Sequence, residues 1–149
     1  MKILMVCLGN ICRSPLAEGI LRNKIKQAGL DWEIDSAGIG GWHAGDLPDR
    51  RSIAVANKYN IDLTNQRARK INAADLDEFD WLLAMDEDNY RDILNYATNE
   101  KQRSKVAMIM NFAKPETNQD VPDPYYDGRF ELVYQMLDEA CEAFMKHQD

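Results

Sequence analysis

Cysteine and histidine are scarce in this chain, with three Cys and two His among 149 residues. An odd cysteine count, without C-x2-C spacing or a His cluster, excludes a secreted disulfide framework and a zinc site, and fits a reducing, cytoplasmic setting. His43 and His147 stand alone and read as surface residues. Long apolar runs are missing too. Ile3-Leu4-Met5-Val6 follows Lys2, but the run ends at Gly9-Asn10 and leads to Arg13 instead of a small-residue cleavage site, so neither a signal peptide nor a membrane span is expected. Basic charge is in deficit: 18 Lys and Arg against 25 Asp and Glu leave a net charge of −7. Such a surface repels nucleic acid and acidic membranes, and the cluster Arg67, Arg69, Lys70 reads as a solvated edge too small to reverse that. Gly38-Ile39-Gly40-Gly41-Trp42-His43 lacks the third glycine of a dinucleotide fingerprint, and no G-x4-G-K-[ST] stretch occurs. No cofactor and no metal are expected.

What is present is an alternation of strand-like and helix-like segments in one domain, residues 1–149. The pattern predicts an α/β fold with a parallel, four-stranded sheet flanked by helices on both faces. Ile3 to Val6 is a strand buried on both sides, Trp32 to Ser36 a half-exposed one, and Trp81 to Met85 and Val106 to Met110 the third and fourth. Between the first two, apolar residues recur at Ala17, Ile20, Leu21, Ile25 and Ala28, with Ser14 as N-cap, Pro15 at the first helical position and Gly29 as the stop. Asp49 caps a helix reaching Tyr59, Asn72 opens a short helical turn, and Asp86 begins another helix. After a loop through Pro115, Pro122 and Pro124, the last helix turns Phe130, Val133, Leu137, Ala140, Cys141 and Phe144 inward. Parallel sheets bind ligands beyond the carboxyl ends of their strands. That points to Cys7–Arg13, Ser36–Gly45, the segment from Asp86, and the loop holding Asp123.

The first of these, Cys7-Leu8-Gly9-Asn10-Ile11-Cys12-Arg13-Ser14-Pro15, joins a buried strand to a helix start. Residues 8 to 13 can curl so that successive backbone N–H groups and the helix dipole converge on an anion. Gly9 and Asn10 tolerate the left-handed angles of such a loop. Arg13 can grip two phosphate oxygens with its planar fork. In that field Cys7 is expected as a thiolate, an in-line nucleophile beneath a bound phosphoryl group. Asp123, in its proline-framed loop, reads either as a turn residue or as an acid able to protonate a leaving group.

These residues, with Asp35-Ser36-Ala37-Gly38, Met85-Asp86 and Asp123-Pro124-Tyr125-Tyr126, resemble the low-molecular-weight protein tyrosine phosphatase family. The resemblance implies a phosphocysteine on Cys7, phosphate bound by Arg13 and the loop Leu8, Gly9, Asn10, Ile11, Cys12, Ser14, and Asp123 as general acid and then base. It further implies that Ser14 hydrogen-bonds the Cys7 sulfur and that Asn10 fixes the loop with Ser36 as a partner. Trp42, Tyr125 and Tyr126 become candidate walls for a phosphotyrosine ring, although the stretch Ala37 to Trp42 lacks the small polar residues common after this motif. The substrate is then a phosphotyrosine-containing protein, with no metal or cofactor. Cys12 either forms a reversible disulfide with Cys7 or packs behind the loop, and Cys141 is core.

Three other functions compete. An arsenate reductase of this fold passes oxidation to further cysteines after the third strand, and none lies between Met85 and Tyr126. A phosphoryl carrier has no use for Arg13 or a hydrolytic Asp123. A phosphotyrosine-binding module gains nothing from a thiolate beside the anion.

Overall fold

The computed structural model describes residues 1–148 of the 149-residue chain, so all but the last position of the expected domain. Its sheet comprises β1 (Lys2–Cys7), β2 (Glu33–Gly38), β3 (Trp81–Ala84) and β4 (Val106–Met108), all parallel, in the order β2-β1-β3-β4. The period of two along β1 sends Ile3, Met5 and Cys7 to one face and Leu4 and Val6 to the other. The first face packs on α1 (Arg13–Gln27) through Leu16 and Ile20, and on α8 (Phe130–His147) through Val133, Leu137 and Phe144. Also on that side are α2 (Arg50–Lys58), through Val55 and Ala56, and α6 (Met110–Ala113). The second face is covered by α3 (Asp75–Glu78) through Leu76 and by α4 (Glu87–Leu94) through Ile93. Both faces of the sheet are therefore dry, which is why its central strands read as unbroken apolar runs.

Differences from the sequence reading lie at element ends. The fourth strand stops at Met108, because Ile109 has helical angles and Met110 begins α6. Ser14 is not an N-cap: the cap position is Cys12, which makes no side-chain capping bond, and Ser14 lies inside the first turn of α1. Its hydroxyl is engaged elsewhere, as described below. Two more four-residue helices appear, α5 (Glu100–Arg103) in a stretch with no expected element and α7 (Pro124–Asp127) at the end of the expected proline loop. Asp123 caps α7 by accepting from the Tyr125 N–H at 3.1 Å.

The chain runs from β1 outward to β2 and then crosses back to β3. Strand order thus reverses at β1, and the crevice between the carboxyl ends of β1 and β3 is where such a sheet accepts a ligand.

Candidate active site

Residues 8 to 12 form a loop between β1 and α1. Its carbonyls are drawn outward: Cys7 O accepts from Ile39 N at 3.0 Å, Leu8 O from Gly40 N at 3.0 Å, and Ile11 O from Asp49 N at 2.8 Å. Cys12 O takes the Ser52 hydroxyl at 3.2 Å. With the carbonyls turned out, the amides turn in, and among the described residues no backbone N–H from Leu8 to Arg13 finds an acceptor in the protein. An anion held there would meet those amides and the positive end of α1. The close approach demands a glycine at 38, where a Cβ would lie 3.0 Å from both Gly9 C and Leu8 O. Asn10 supplies the left-handed turn with φ 58°.

Behind the loop, Asn10 Nδ2 donates to Ser14 Oγ at 2.8 Å and to Ser36 Oγ at 3.0 Å, and Arg69 N donates to Asn10 Oδ1 at 3.0 Å. Ser36 passes its own hydrogen to Glu18 Oε1 at 2.7 Å, and Arg22 closes the row on Glu18 Oε2 at 2.8 Å. Burial, opposed by Ser36 and Arg22, raises the Glu18 carboxyl above its ordinary pKa. The order of donors has a consequence. Ser14 Oγ already accepts from Asn10, so its hydrogen is available to the Cys7 sulfur, 3.0 Å away.

Arg13, only 3% exposed, uses Nη1 for Asp86 Oδ2 at 2.6 Å and the Val121 carbonyl at 2.9 Å. This commits one side of the guanidinium and leaves Nε and Nη2, the other edge of the fork, for a ligand. Burial opposes the charge, but Cys7, Asp86 and Asp123 around it prevail and raise the pKa, so Arg13 stays a cation. Asp86 is itself fixed as the N-cap of α4, accepting from Asn89 N at 2.7 Å. Asp123 Oδ2 lies 3.8 Å from Arg13 Nη2, while Oδ1 is held by the α7 cap.

A pocket of about 300 Å³ opens above the sulfur. It brings together Cys7, Leu8, Gly9, Ile11, Cys12, Arg13, Trp42, Asp123, Tyr125 and Tyr126 from the sequence reading, while Asn10 and Ser14 lie behind it in the supporting network. Trp42 folds back onto Gly40, where a Cβ would stand 1.9 Å from the indole, which accounts for the glycine at that position. Tyr125 and Tyr126 meet edge to face at 5.1 Å, and Arg51 lies over the Tyr125 ring at 5.5 Å.

Two sequence readings need correction. His43, read as an isolated surface residue, lines the pocket with its ring against Gly9 and its Nδ1 3.3 Å from Asp46. Its position directly after Trp42, in a loop beyond a strand end, was the available signal. Arg69, read as part of a solvated edge, is clamped between Asp35 at 3.1 Å and Asp75 at 3.0 Å, and its backbone anchors Asn10. No helical or strand spacing announces that, since Asp35 is 34 residues away and Asp75, six residues on, is brought to it by the turn before α3. Cys7, Cys12 and Cys141 are free and buried. Burial, with the nearby charges of Asp49, Cys7 and Asp123, pushes the Cys12 thiol up to about 12, so it stays protonated. Among the described residues no helix is long and apolar enough to cross a membrane, and no group of His, Cys, Asp and Glu is gathered for a metal.

With this geometry in hand, comparison with known proteins is specific. The family model described as low molecular weight phosphotyrosine protein phosphatase matches residues 2–149. A putative low molecular weight protein-tyrosine-phosphatase of Synechocystis is 47% identical over 145 residues, covering 95% of this chain and 92% of that protein. The low molecular weight protein-tyrosine-phosphatase YfkJ of Bacillus subtilis is 40% identical over 146 residues, covering 97% and 93%. The crystal structure of YfkJ superposes with a TM-score of 0.93 over 99% of this chain and 93% of that one. A Drosophila arginine phosphatase, DARP, superposes with a TM-score of 0.92 at 32% identity, covering 100% and 98%.

Proposed function

The chain belongs to the low molecular weight phosphotyrosine protein phosphatase family and is a protein-tyrosine-phosphatase; from that premise we propose that it hydrolyses phosphotyrosine and aryl phosphates through a covalent phosphocysteine on Cys7. The observation that carries this reading is the Cys7 sulfur at the floor of a loop of inward amides, with Ser14 Oγ 3.0 Å away and the free edge of Arg13 in the same pocket.

In the first step a sulfur electron pair attacks phosphorus and the bond to the aryl oxygen breaks. Asp123 gives its proton to the departing phenolate, a transfer worth about 10²–10⁴-fold in such reactions. Oδ2 is the atom suited to this, because Oδ1 is engaged with the Tyr125 N–H. Negative charge growing on the equatorial oxygens is met by the loop amides and by Nε and Nη2 of Arg13. In the second step water attacks the phosphocysteine, Asp123 takes up the water proton, and the S–P bond breaks. The Ser14 hydroxyl stabilises the sulfur anion as it leaves.

The apolar and aromatic lining, Leu8, Ile11, Trp42 and the two tyrosines, suits a flat aromatic ring between phosphate and solvent. The nearest competitor in chemistry is phosphoarginine, because one structural relative is an arginine phosphatase. Steady-state assays on p-nitrophenyl phosphate, a phosphotyrosine peptide and a phosphoarginine peptide separate the two. The aryl esters are expected to be the better substrates by kcat/KM, and a preference for phosphoarginine would reverse the assignment.

A further inference from the structure

The start of α2 touches both halves of the site. It holds the phosphate loop, since Asp49 N donates to Ile11 O at 2.8 Å and the Ser52 hydroxyl donates to Cys12 O at 3.2 Å. Arg51, between them, turns the other way. Its Nε and Nη2 donate to Asp49 Oδ1 and Oδ2 at 3.1 and 3.2 Å, and Nη2 also donates to the Tyr125 carbonyl at 3.2 Å. The guanidinium lies over two rings, Tyr125 at 5.5 Å and Phe130 at 4.6 Å. One planar fork manages all of this, because Nη2 carries two hydrogens, one for the carboxylate and one for the carbonyl. An exposed ion pair by itself contributes little to stability. What matters here is the segment it reaches.

Tyr125 is gripped through both of its backbone groups, its N–H by Asp123 Oδ1 at 3.1 Å and its carbonyl by Arg51. Fixing Tyr125 therefore fixes the Asp123 carboxylate, with Oδ2 left 3.8 Å from Arg13 Nη2. The helix between them, α7, is a single turn and does not hold its own shape. Upstream, the loop is pinned at Val121, whose N–H donates to Met85 O at 2.8 Å and whose carbonyl accepts from Arg13. Downstream, among the described residues, the bond from Arg51 is the one hydrogen bond that reaches residues 122–128 from outside residues 120–133. The contacts thus run from Asp49 through Arg51 and Tyr125 to Asp123.

We propose that Arg51 is the positioning residue of the general acid, holding Asp123 in register with the phosphate loop so that Oδ2 meets the leaving oxygen. It acts through Tyr125 and touches neither the phosphate nor the reacting atoms. The proposal rests on the acid role given to Asp123 above and extends it to the group that aims the carboxylate. Because Asp49 N and Ser52 hold the phosphate loop without the Arg51 side chain, removing the guanidinium loosens the acid alone.

The test compares the wild-type protein with Arg51→Ala, Arg51→Lys, Asp123→Ala and the double variant Arg51→Ala/Asp123→Ala. Substrates are aryl phosphates from p-nitrophenyl phosphate to phenyl phosphate, and inhibition by inorganic phosphate reads the loop separately. Arg51→Ala should lower kcat/KM for phenyl phosphate roughly tenfold, part of the about 10²–10⁴-fold that a positioned acid supplies. The loss should shrink for p-nitrophenyl phosphate, and the inhibition constant of phosphate should not move. Arg51→Lys should fall between, since an ammonium keeps the charge but loses the fork. The double variant should be no slower than Asp123→Ala, because residues that act as one unit are not additive. A loss equal for all esters with a raised phosphate constant, no loss at all, or a loss that persists in the Asp123→Ala background overturns the role of Arg51 alone. Wild-type turnover of phenyl phosphate by Asp123→Ala overturns the acid reading and this role with it.

Discussion

At the amino end of the sheet, Lys2 Nζ reaches Glu78 at 2.8 Å and Glu33 at 3.5 Å on the solvent-facing rim. At the carboxyl end, Asn10, Ser14, Ser36 and Glu18 make their hydrogen bonds out of reach of water. The two ends close the same strands by opposite means. Exposed ion pairs between long side chains are screened and tolerate loss. A buried polar row does not, because each member left unpaired is penalised in a low dielectric. The comparison teaches that the demanding construction is reserved for the end where a sulfur, a guanidinium and a ring of amides must hold their positions together.

Substitutions along both ends can break or sharpen that contrast. The largest effect is expected from Cys7→Ser, which should leave no turnover of p-nitrophenyl phosphate above background while circular dichroism stays native. Next, Asp123→Ala should lower kcat by about 10²–10⁴-fold. Its deficit should be greatest for esters with poorly acidic phenols, read from the dependence of rate on the leaving group. Arg13→Lys keeps the charge but loses the fork, and should reduce kcat/KM by about 10²-fold, in the range seen when one oxyanion donor is removed. Asn10→Ala deletes three hydrogen bonds at a left-handed residue. It should lower stability by about 1–3 kcal/mol in denaturant unfolding and raise the inhibition constant of inorganic phosphate. Smallest of all, Lys2→Ala should leave activity unchanged and barely move the unfolding midpoint. A loss there comparable to that of Asn10→Ala would erase the distinction between the two ends.

How far the sequence discloses this arrangement depends on the range of the interactions. The strand Ile3 to Val6 and the apolar stripes of α1 and α8 are local periodicities, and both are evident in the chain. Helices α5, α6 and α7, of four residues each, are not. A single turn has too few internal bonds to persist alone and is fixed by its neighbours. The end of β4 is hidden for another reason: Ile109 and Met110 prolong the apolar run while the backbone has already turned helical. At the site, Cys7 and Arg13 are legible because a strand end running into a helix start marks where a parallel sheet gathers its chemistry, whereas Asp123 stands out from an ordinary turn residue only through the family resemblance. Ser14 misleads, since a serine before proline carries the signature of a cap yet here faces the sulfur. Arg69 is illegible locally, because Asp35 and Asp75 meet it only in the folded chain.

The central claim is a phosphoryl group carried on the Cys7 sulfur. Asp123→Ala mixed with p-nitrophenyl phosphate and quenched in acid within the first turnovers should yield a phosphorylated peptide containing Cys7, seen by mass spectrometry and absent from Cys7→Ser. Turnover that proceeds at the wild-type rate with phosphate never found on that peptide, or found on another residue, would contradict it.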